Sequence, residues 1–172
     1  MNLRRVVIQT KRLLLVPISE TDISDVFHHF TTNVSTYMYP VPTGEIEDTK
    51  EFVTTAVNKL DAKKDLQMVI KDKNDDTFLG CCGLHGINSL NPELGIWLKT
   101  DAHGLGLGKE AIEGLVSWGR ENLVYDFFKY PVDRRNISSR KIPESYHATV
   151  VKEYVITNQA GKPLDIMEFW FK

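Results

Sequence analysis

Residues 11–18, Lys-Arg-Leu-Leu-Leu-Val-Pro-Ile, group their apolar side chains and close on Pro17, the pattern of a short buried strand. Ser19 with Asp22 three residues on has the form of a capping box. The helix it opens sets Ile23, Val26, Phe27 and Phe30 on one face. His28 and His29 fall beside that stripe with no further His or Cys at ligand spacing, so no metal site is expected. An aromatic, proline-bearing connection covers residues 34–44, and a second amphipathic helix starts near Asp48 with Phe52, Val53, Ala56, Val57 and Leu60 facing inward. Residues 66–71 and 77–84 read as strands around the turn-rich stretch 72–76, a hairpin. Residues 93–98 predict another strand, and Ile112, Leu115, Val116 and Leu123 mark a helix from about Lys109 to Asn122.

Beyond that helix the β-prone run 123–132 predicts a buried strand. Asn136 can cap a short helix, which Pro143 is expected to end because proline lacks a donor and clashes with the preceding turn. Residues 149–157 and 164–171 flank the turn stretch 158–162 as a final hairpin. The order is strand, two helices, three strands, helix, strand, short helix, hairpin. It predicts an α/β chain (mixed α+β): a single mixed, largely antiparallel sheet of about seven strands with helices on both faces. The strand–helix–strand step through residues 109–122 favours one parallel pair. No repeat, low-complexity tract or linker interrupts the chain, and 172 residues suit one domain spanning 1–172.

Composition narrows the function classes. Apolar residues make up 42% and charged residues 26%, an ordinary globular balance. With 21 basic and 23 acidic side chains scattered along the chain, neither a nucleic-acid face nor a polybasic membrane patch is expected. No apolar run reaches the ~18 residues a spanning helix needs, and the N-terminal residues lack the apolar stretch of a secretory signal. Cys81 and Cys82 are neighbours, which suits buried strand thiols in a reducing compartment better than a disulfide framework. A cytoplasmic protein is expected.

Chemistry concentrates in residues 96–111, where a strand runs through Gly104, Gly106 and Gly108 into an amphipathic helix. Three glycines in five residues lose much chain entropy on ordering. What they provide is bare N–H groups at a helix N-terminus, where unsatisfied donors and the helix dipole favour phosphate or pyrophosphate. A P-loop ending at Gly108-Lys109 would have His103 at its first glycine and Glu110 at the magnesium-binding hydroxyl. A dinucleotide fingerprint would require glycine at Lys109 or Ala111. Both nucleotide patterns fail at residues that matter, leaving a diphosphate site of another kind or a glycine turn without a ligand.

The segment His103-Gly104-Leu105-Gly106-Leu107-Gly108 resembles the Gln/Arg-x-x-Gly-x-Gly/Ala signature of the GNAT superfamily of N-acetyltransferases, with His103 in the place of the usual first residue. The flanking Glu-Leu-Gly-Ile-Trp-Leu and Gly-Lys-Glu-Ala, the opening residues 10–15, and Asp133 to Ser139 are similar to the branch that acetylates ribosomal-protein N-termini. The resemblance implies a GNAT-like acyl-CoA N-acyltransferase fold and acetyl-CoA as acetyl donor. It implies that His103, Gly104, Leu105, Gly106, Leu107 and Gly108 hold the diphosphate, with Lys109 either assisting or simply solvated. Two strands splay in that family, which would put Trp97, Leu98 and Lys99 along the pantetheine arm and Asn136, with Ser139, across the gap. Asn136 equally suits a plain N-cap.

Glu93 would be the base that deprotonates the acceptor, or else a strand-end surface carboxylate, and an N–H near Leu98 would meet the oxyanion. The need is real: freeing a lysine-type amine (pKa ~10.4) at pH 7 costs about 4–5 kcal/mol, an α-amine about 1 kcal/mol. Tyr37 and Tyr39 would line the acceptor pocket. Pro143 stands where many members carry the tyrosine acid, and Tyr146 lies close by in sequence. The implied partner is an amine substrate, a peptide N-terminus or a small molecule, for a monomer or homodimer. A non-catalytic acetyl-CoA sensor is the alternative that His103 and Pro143 leave open, and Gly108-Lys109 leaves a nucleotide-dependent phosphotransferase as a third.

Overall fold

The computed structural model describes residues 2–172. In chain order the elements are β1 (Ile8–Gln9), β2 (Leu13–Pro17), α1 (Ile23–His29), α2 (Ile46–Asp61), β3 (Asp65–Asp72), β4 (Phe78–His85), β5 (Glu93–Leu98), α3 (Leu107–Asn122), β6 (Phe128–Asp133), α4 (Ile137–Ser145), β7 (Val150–Thr157) and β8 (Pro163–Phe171). One eight-stranded sheet carries them in the order β1-β2-β3-β4-β5-β6-β8-β7. Every pairing is antiparallel except β5 with β6, the pair joined through α3.

Two cores lie on opposite faces. The larger collects Leu94 of β5, Ile112 and Leu115 of α3, Phe128 and Tyr130 of β6, Ile142 of α4 and Phe169 of β8, with Ile96 and Leu98 packed against it. The smaller joins Val26 of α1, Val53 and Ala56 of α2, Val69 of β3 and Cys81 of β4, with Trp97 packed against it. Alternation along β5 therefore sends Leu94, Ile96 and Leu98 to the α3 side and Glu93, Gly95 and Trp97 to the α1/α2 side. Cys81 and Cys82 are both buried, and burial raises both thiols well above the usual range.

Four differences from the sequence expectations have local causes. The sheet gains an eighth strand, Ile8–Gln9, which pairs with Leu14 and Leu15 of β2 and is too short to show a period. Residues 123–127 are not strand: Leu123 N–H donates to Gly119 O at 2.9 Å to finish α3, and Asp126 N–H donates to Leu90 O at 2.7 Å. Their apolar members Leu123 and Tyr125 still pack on the larger core, so burial without strand pairing produced the β-like pattern. Phe52, expected inward, is exposed, since α2 buries only Val53, Ala56 and Leu60.

Pro143 lies inside α4 rather than ending it, and the helix continues to Ser145. The proline has no N–H for the carbonyl of Ser139, one helical turn back. That carbonyl instead accepts a hydrogen bond from the Tyr130 hydroxyl at 3.2 Å. The sheet thus supplies the donor that the proline removes.

Candidate functional site

After β5 the chain turns through Gly104 and Gly106, both at φ of 75°, and enters α3 at Leu107. This left-handed backbone costs an ordinary residue about 1–2 kcal/mol and glycine almost nothing. Gly106 is the N-cap residue and no side chain caps the helix. The first-turn N–H groups and the positive end of the helix dipole therefore remain available to an anion. A Cβ placed on Gly104 would meet nothing within 4 Å, so the turn borders open space. Gly108 lies within α3, which starts at Leu107, two residues earlier than expected, and faces Ile96 and Leu98 of β5 and Ile142 of α4, where three elements converge.

The His103 side chain stays near the turn: its Nε2 donates to Leu98 O at 2.8 Å, tying the turn to the end of β5. Lys109 lies 3.9 Å from Glu113 and over the Tyr146 ring at 5.3 Å. Arg12, noticed in the sequence only as part of a strand, stands beside the turn. Its Nη1 donates to Leu105 O at 2.9 Å and its Nε to Glu110 Oε2 at 2.7 Å. Glu110 also accepts from Thr10 Oγ1 at 2.6 Å and from Arg12 N–H at 2.7 Å. Partial burial pulls its carboxyl upward, but these bonds outweigh that and hold it below the usual carboxylate range.

Beside the turn, β5 and β6 separate. They pair at Glu93 and Lys129 alone, where Lys129 N–H donates to Pro92 O at 2.8 Å. In the parallel pattern the next rung would run from the N–H of residue 131 to β5, and Pro131 has none. On the β5 side, Lys99 N–H donates to Leu79 O of β4 at 2.8 Å, so alternation turns the main chain of Trp97 and Lys99 toward β4 and that of Ile96 and Leu98 toward the gap. Of the three residues expected along the arm, Leu98 offers its N–H to the gap, its carbonyl being held by His103 Nε2. The Trp97 ring packs instead between Phe30 at 5.1 Å and Phe78 at 5.8 Å. Proline inside a β-prone run is the sequence signal that could have marked this edge.

Across the gap, Asn136 caps α4: its Oδ1 accepts from Ser139 N–H at 3.2 Å. The Ser139 hydroxyl bonds the Tyr130 hydroxyl at 2.7 Å. Burial, against the relief of that bond, pushes Tyr130 up to about 12. Asp133, at the end of β6 and 1% exposed, accepts from Arg135 Nε at 2.8 Å, Arg135 Nη2 at 2.7 Å, and the N–H groups of Arg135 and Asp165 at 2.9 and 3.0 Å. Tyr146 stacks edge-on to Phe171 at 5.5 Å, and its hydroxyl is raised by burial and by the Glu113 carboxylate it meets on α3.

On the α1/α2 face, Glu93 is half-buried, 3.8 Å from Lys129 Nζ. The connection between α1 and α2 reaches over to the β7–β8 turn. Gln159 N–H donates to Tyr39 O at 3.1 Å, Val41 N–H to Gln159 Oε1 at 3.1 Å, and Lys162 Nζ to Thr36 O at 2.8 Å. Tyr37 lies between Arg135, 5.3 Å from its ring, and Lys162 at 5.2 Å, while Tyr39 is 53% exposed. Opposite Glu93 on β4 sits His85, whose Nδ1 is 3.2 Å from Asp65 Oδ2. No sequence pattern singled out His85, since only the β4–β5 register brings it to Glu93.

A family model described as an acetyltransferase (GNAT) domain matches residues 12–149. No curated protein matches the chain by sequence. Among solved structures it is similar to the spermidine N-acetyltransferase of Vibrio cholerae in complex with CoA and spermine, at 15% identity over 94% of this chain and 96% of that one, TM-score 0.80. It is similar to the microcin C7 self-immunity acetyltransferase in complex with acetyl-CoA and AMP, at 16% identity over 94% and 93%, TM-score 0.83. It is also similar to RimL, a ribosomal alpha-N-protein acetyltransferase in complex with coenzyme A, at 16% identity over 96% and 97%, TM-score 0.79. At these identities the likeness establishes a common fold.

Proposed function

The chain belongs to the GNAT family of acetyltransferases, and from that membership we propose that it moves the acetyl group of acetyl-CoA onto a primary amine: the α-amine of a peptide or protein N-terminus, or the amine of a small molecule. The observation that carries the reading is one juxtaposition. An uncapped helix N-terminus behind two left-handed glycines opens beside a strand pair that parts after a single rung. The residues fit the donor. Its diphosphate suits the bare N–H groups of residues 104–108, with His103 and Lys109 near, and its extended arm suits the free N–H at Leu98, flanked by Trp97 and Lys99. Asn136 uses only its oxygen as a cap, leaving its amide N–H groups for an acceptor on the arm, with Ser139 one turn away. Neighbours crystallised with CoA or acetyl-CoA support the same donor.

When bound, acetyl-CoA supplies an activated acyl carbon. The chain orients the acceptor, removes its proton and steadies the oxygen that gains charge. Leu98 N–H faces the gap and can donate to that oxygen. Glu93 attracts the acceptor ammonium and takes up its proton directly or through water. Tyr37 and Tyr39, on the loop clamped to the β7–β8 turn, line the acceptor side. Among the described residues no helix is long and apolar enough to cross a membrane. The reading takes the chain as a single cytoplasmic domain, monomeric or homodimeric.

The test pairs calorimetric titration of acetyl-CoA with a thiol-release assay. The amine panel holds peptides beginning in Ala, Ser or Met beside lysine, spermidine and an aminoglycoside. Saturable binding and amine-dependent thiol release are expected. Binding without release from any amine would leave an acetyl-CoA sensor, and absence of binding would end the reading.

A further inference from the structure

Resting on that transferase reading, we propose that His85 and Asp65 form a proton-accepting dyad for the acceptor amine, working beside Glu93. His85 is the last residue of β4 and stands directly opposite Glu93 in the β4–β5 register. A carboxylate only accepts, so the 3.2 Å contact between Asp65 Oδ2 and His85 Nδ1 places the ring hydrogen on Nδ1. The neutral ring then carries its lone pair on Nε2, the tautomer a base needs.

That nitrogen lies over the backbone of the gap strand. A Cβ built on Gly95 of β5 would stand 3.3 Å from His85 Nε2. The missing side chain at position 95 is what gives the imidazole, and anything approaching it, room between β4 and the β5–β6 gap. Asp65 is itself held: Oδ1 accepts from Gly86 N–H at 2.9 Å, and Lys59 Nζ lies 3.2 Å from Oδ2. Burial raises the Asp65 carboxyl, but the Gly86, His85 and Lys59 contacts prevail and keep it ionised. The charged groups around the ring are Asp65 of β3, Lys59 of α2, Glu93 of β5 and, behind Glu93, Lys129 of β6. The His85 side chain is 40% exposed, which leaves a route for the proton to water.

The chemistry favours an imidazole for this step. Imidazoles as a class titrate near ~6.5 and glutamates near ~4.3, so an imidazole is about two units better matched to an ammonium and to neutral pH. An N–H bond of the acceptor ammonium breaks as the Nε2–H bond forms, and Asp65 stabilises the resulting imidazolium. The freed amine lone pair forms the N–C bond while the C–S bond breaks. The second amine proton goes to the departing sulfur, and His85 passes the first to solvent. His85 thereby takes over the proton otherwise assigned to Glu93, whose part becomes the negative charge that draws the ammonium in.

The experiment compares wild type, His85→Gln, His85→Ala and Asp65→Asn by thiol release across about pH 6–9, with acetyl-CoA binding measured by calorimetry and folding by circular dichroism. His85→Gln is expected to lower kcat about 10²–10⁴-fold and to leave acetyl-CoA affinity within about twofold. Its residual rate should climb about tenfold per pH unit as free amine accumulates. Asp65→Asn lets an amide donate to Nδ1, moving the ring hydrogen to Nε2, and kcat falls although the imidazole is present. Imidazole in solution restores turnover to His85→Ala, which a purely structural histidine would not allow. A His85→Gln enzyme with wild-type kcat and pH profile overturns the dyad while leaving the transferase reading in place. A wild type that neither binds acetyl-CoA nor releases thiol overturns both.

Discussion

Arg12 holds Glu110 across 98 residues of sequence, through Nε at 2.7 Å, while its Nη1 grips the carbonyl of Leu105 in the glycine turn at 2.9 Å. Glu110 sits in the first turn of α3, where a carboxylate suits the helix dipole but opposes a phosphate at the same helix end. Arg12 cancels that opposition and pins the turn at once. Arg12→Ala should therefore raise the Kd for acetyl-CoA about tenfold, equivalent to about 1.4 kcal/mol. Glu110→Gln added to Arg12→Ala should recover part of the loss, because the unpaired carboxylate is then gone. Calorimetry on the four-member cycle measures the coupling, and strictly additive effects would argue against it.

Asp133 gives a pH prediction with a definite sign. Burial raises its carboxyl, but Arg135 and the N–H groups of Arg135 and Asp165 overcome this and depress it. A depressed carboxylate binds its proton more weakly folded than unfolded. Its contribution is full above the unfolded value near ~3.9 and is lost as pH falls through the lower folded value. Stability should stay level from neutral pH to about 5 and drop below about 4. Asp133→Asn should cost about 2–3 kcal/mol at neutral pH and flatten that part of the acid limb in denaturant unfolding at several pH values.

Tyr130→Phe removes the donor that serves the Ser139 carbonyl where Pro143 cannot. It also strips the Ser139 hydroxyl of its 2.7 Å partner. The expected loss is about 1–3 kcal/mol with α4 destabilised locally. Hydrogen exchange of the α4 amides reads this, and unchanged protection there would contradict it. Pro143→Ala restores the missing N–H and should soften the effect of Tyr130→Phe.

What the chain order reveals about this molecule follows the range of the forces involved. The glycine turn, the capping at Asn136 and the amphipathic faces of α2 and α3 depend on neighbours within a few residues, and they are legible as spacing. Pro143 misleads because its compensating donor comes from Tyr130 on another element, which local rules for proline cannot include. Residues 123–127 mislead because a loop buried against the core has the composition of a strand. Arg12 and His85 stay hidden for a common reason: each meets its partners only in the folded chain, Arg12 where the β1–β2 turn reaches Glu110 on α3, and His85 where the β4–β5 register sets it opposite Glu93 and beside Gly95.

Pro131 offers the sharpest test of how the gap is made. The single β5–β6 rung ends at Lys129, and the following inward N–H is the one proline lacks. Pro131→Ala returns a donor worth about 1 kcal/mol if it pairs with β5. It also gives back about 1 kcal/mol of unfolded-chain freedom, so the two changes nearly cancel and Tm should move by only a few degrees. Acetyl-CoA binding should respond much more strongly, weakening about tenfold or more as the ladder extends into the space the arm requires. Affinity that falls while Tm holds marks a closed gap. Affinity that is unchanged would mean that the twist of the sheet, and not the missing donor, keeps these two strands apart.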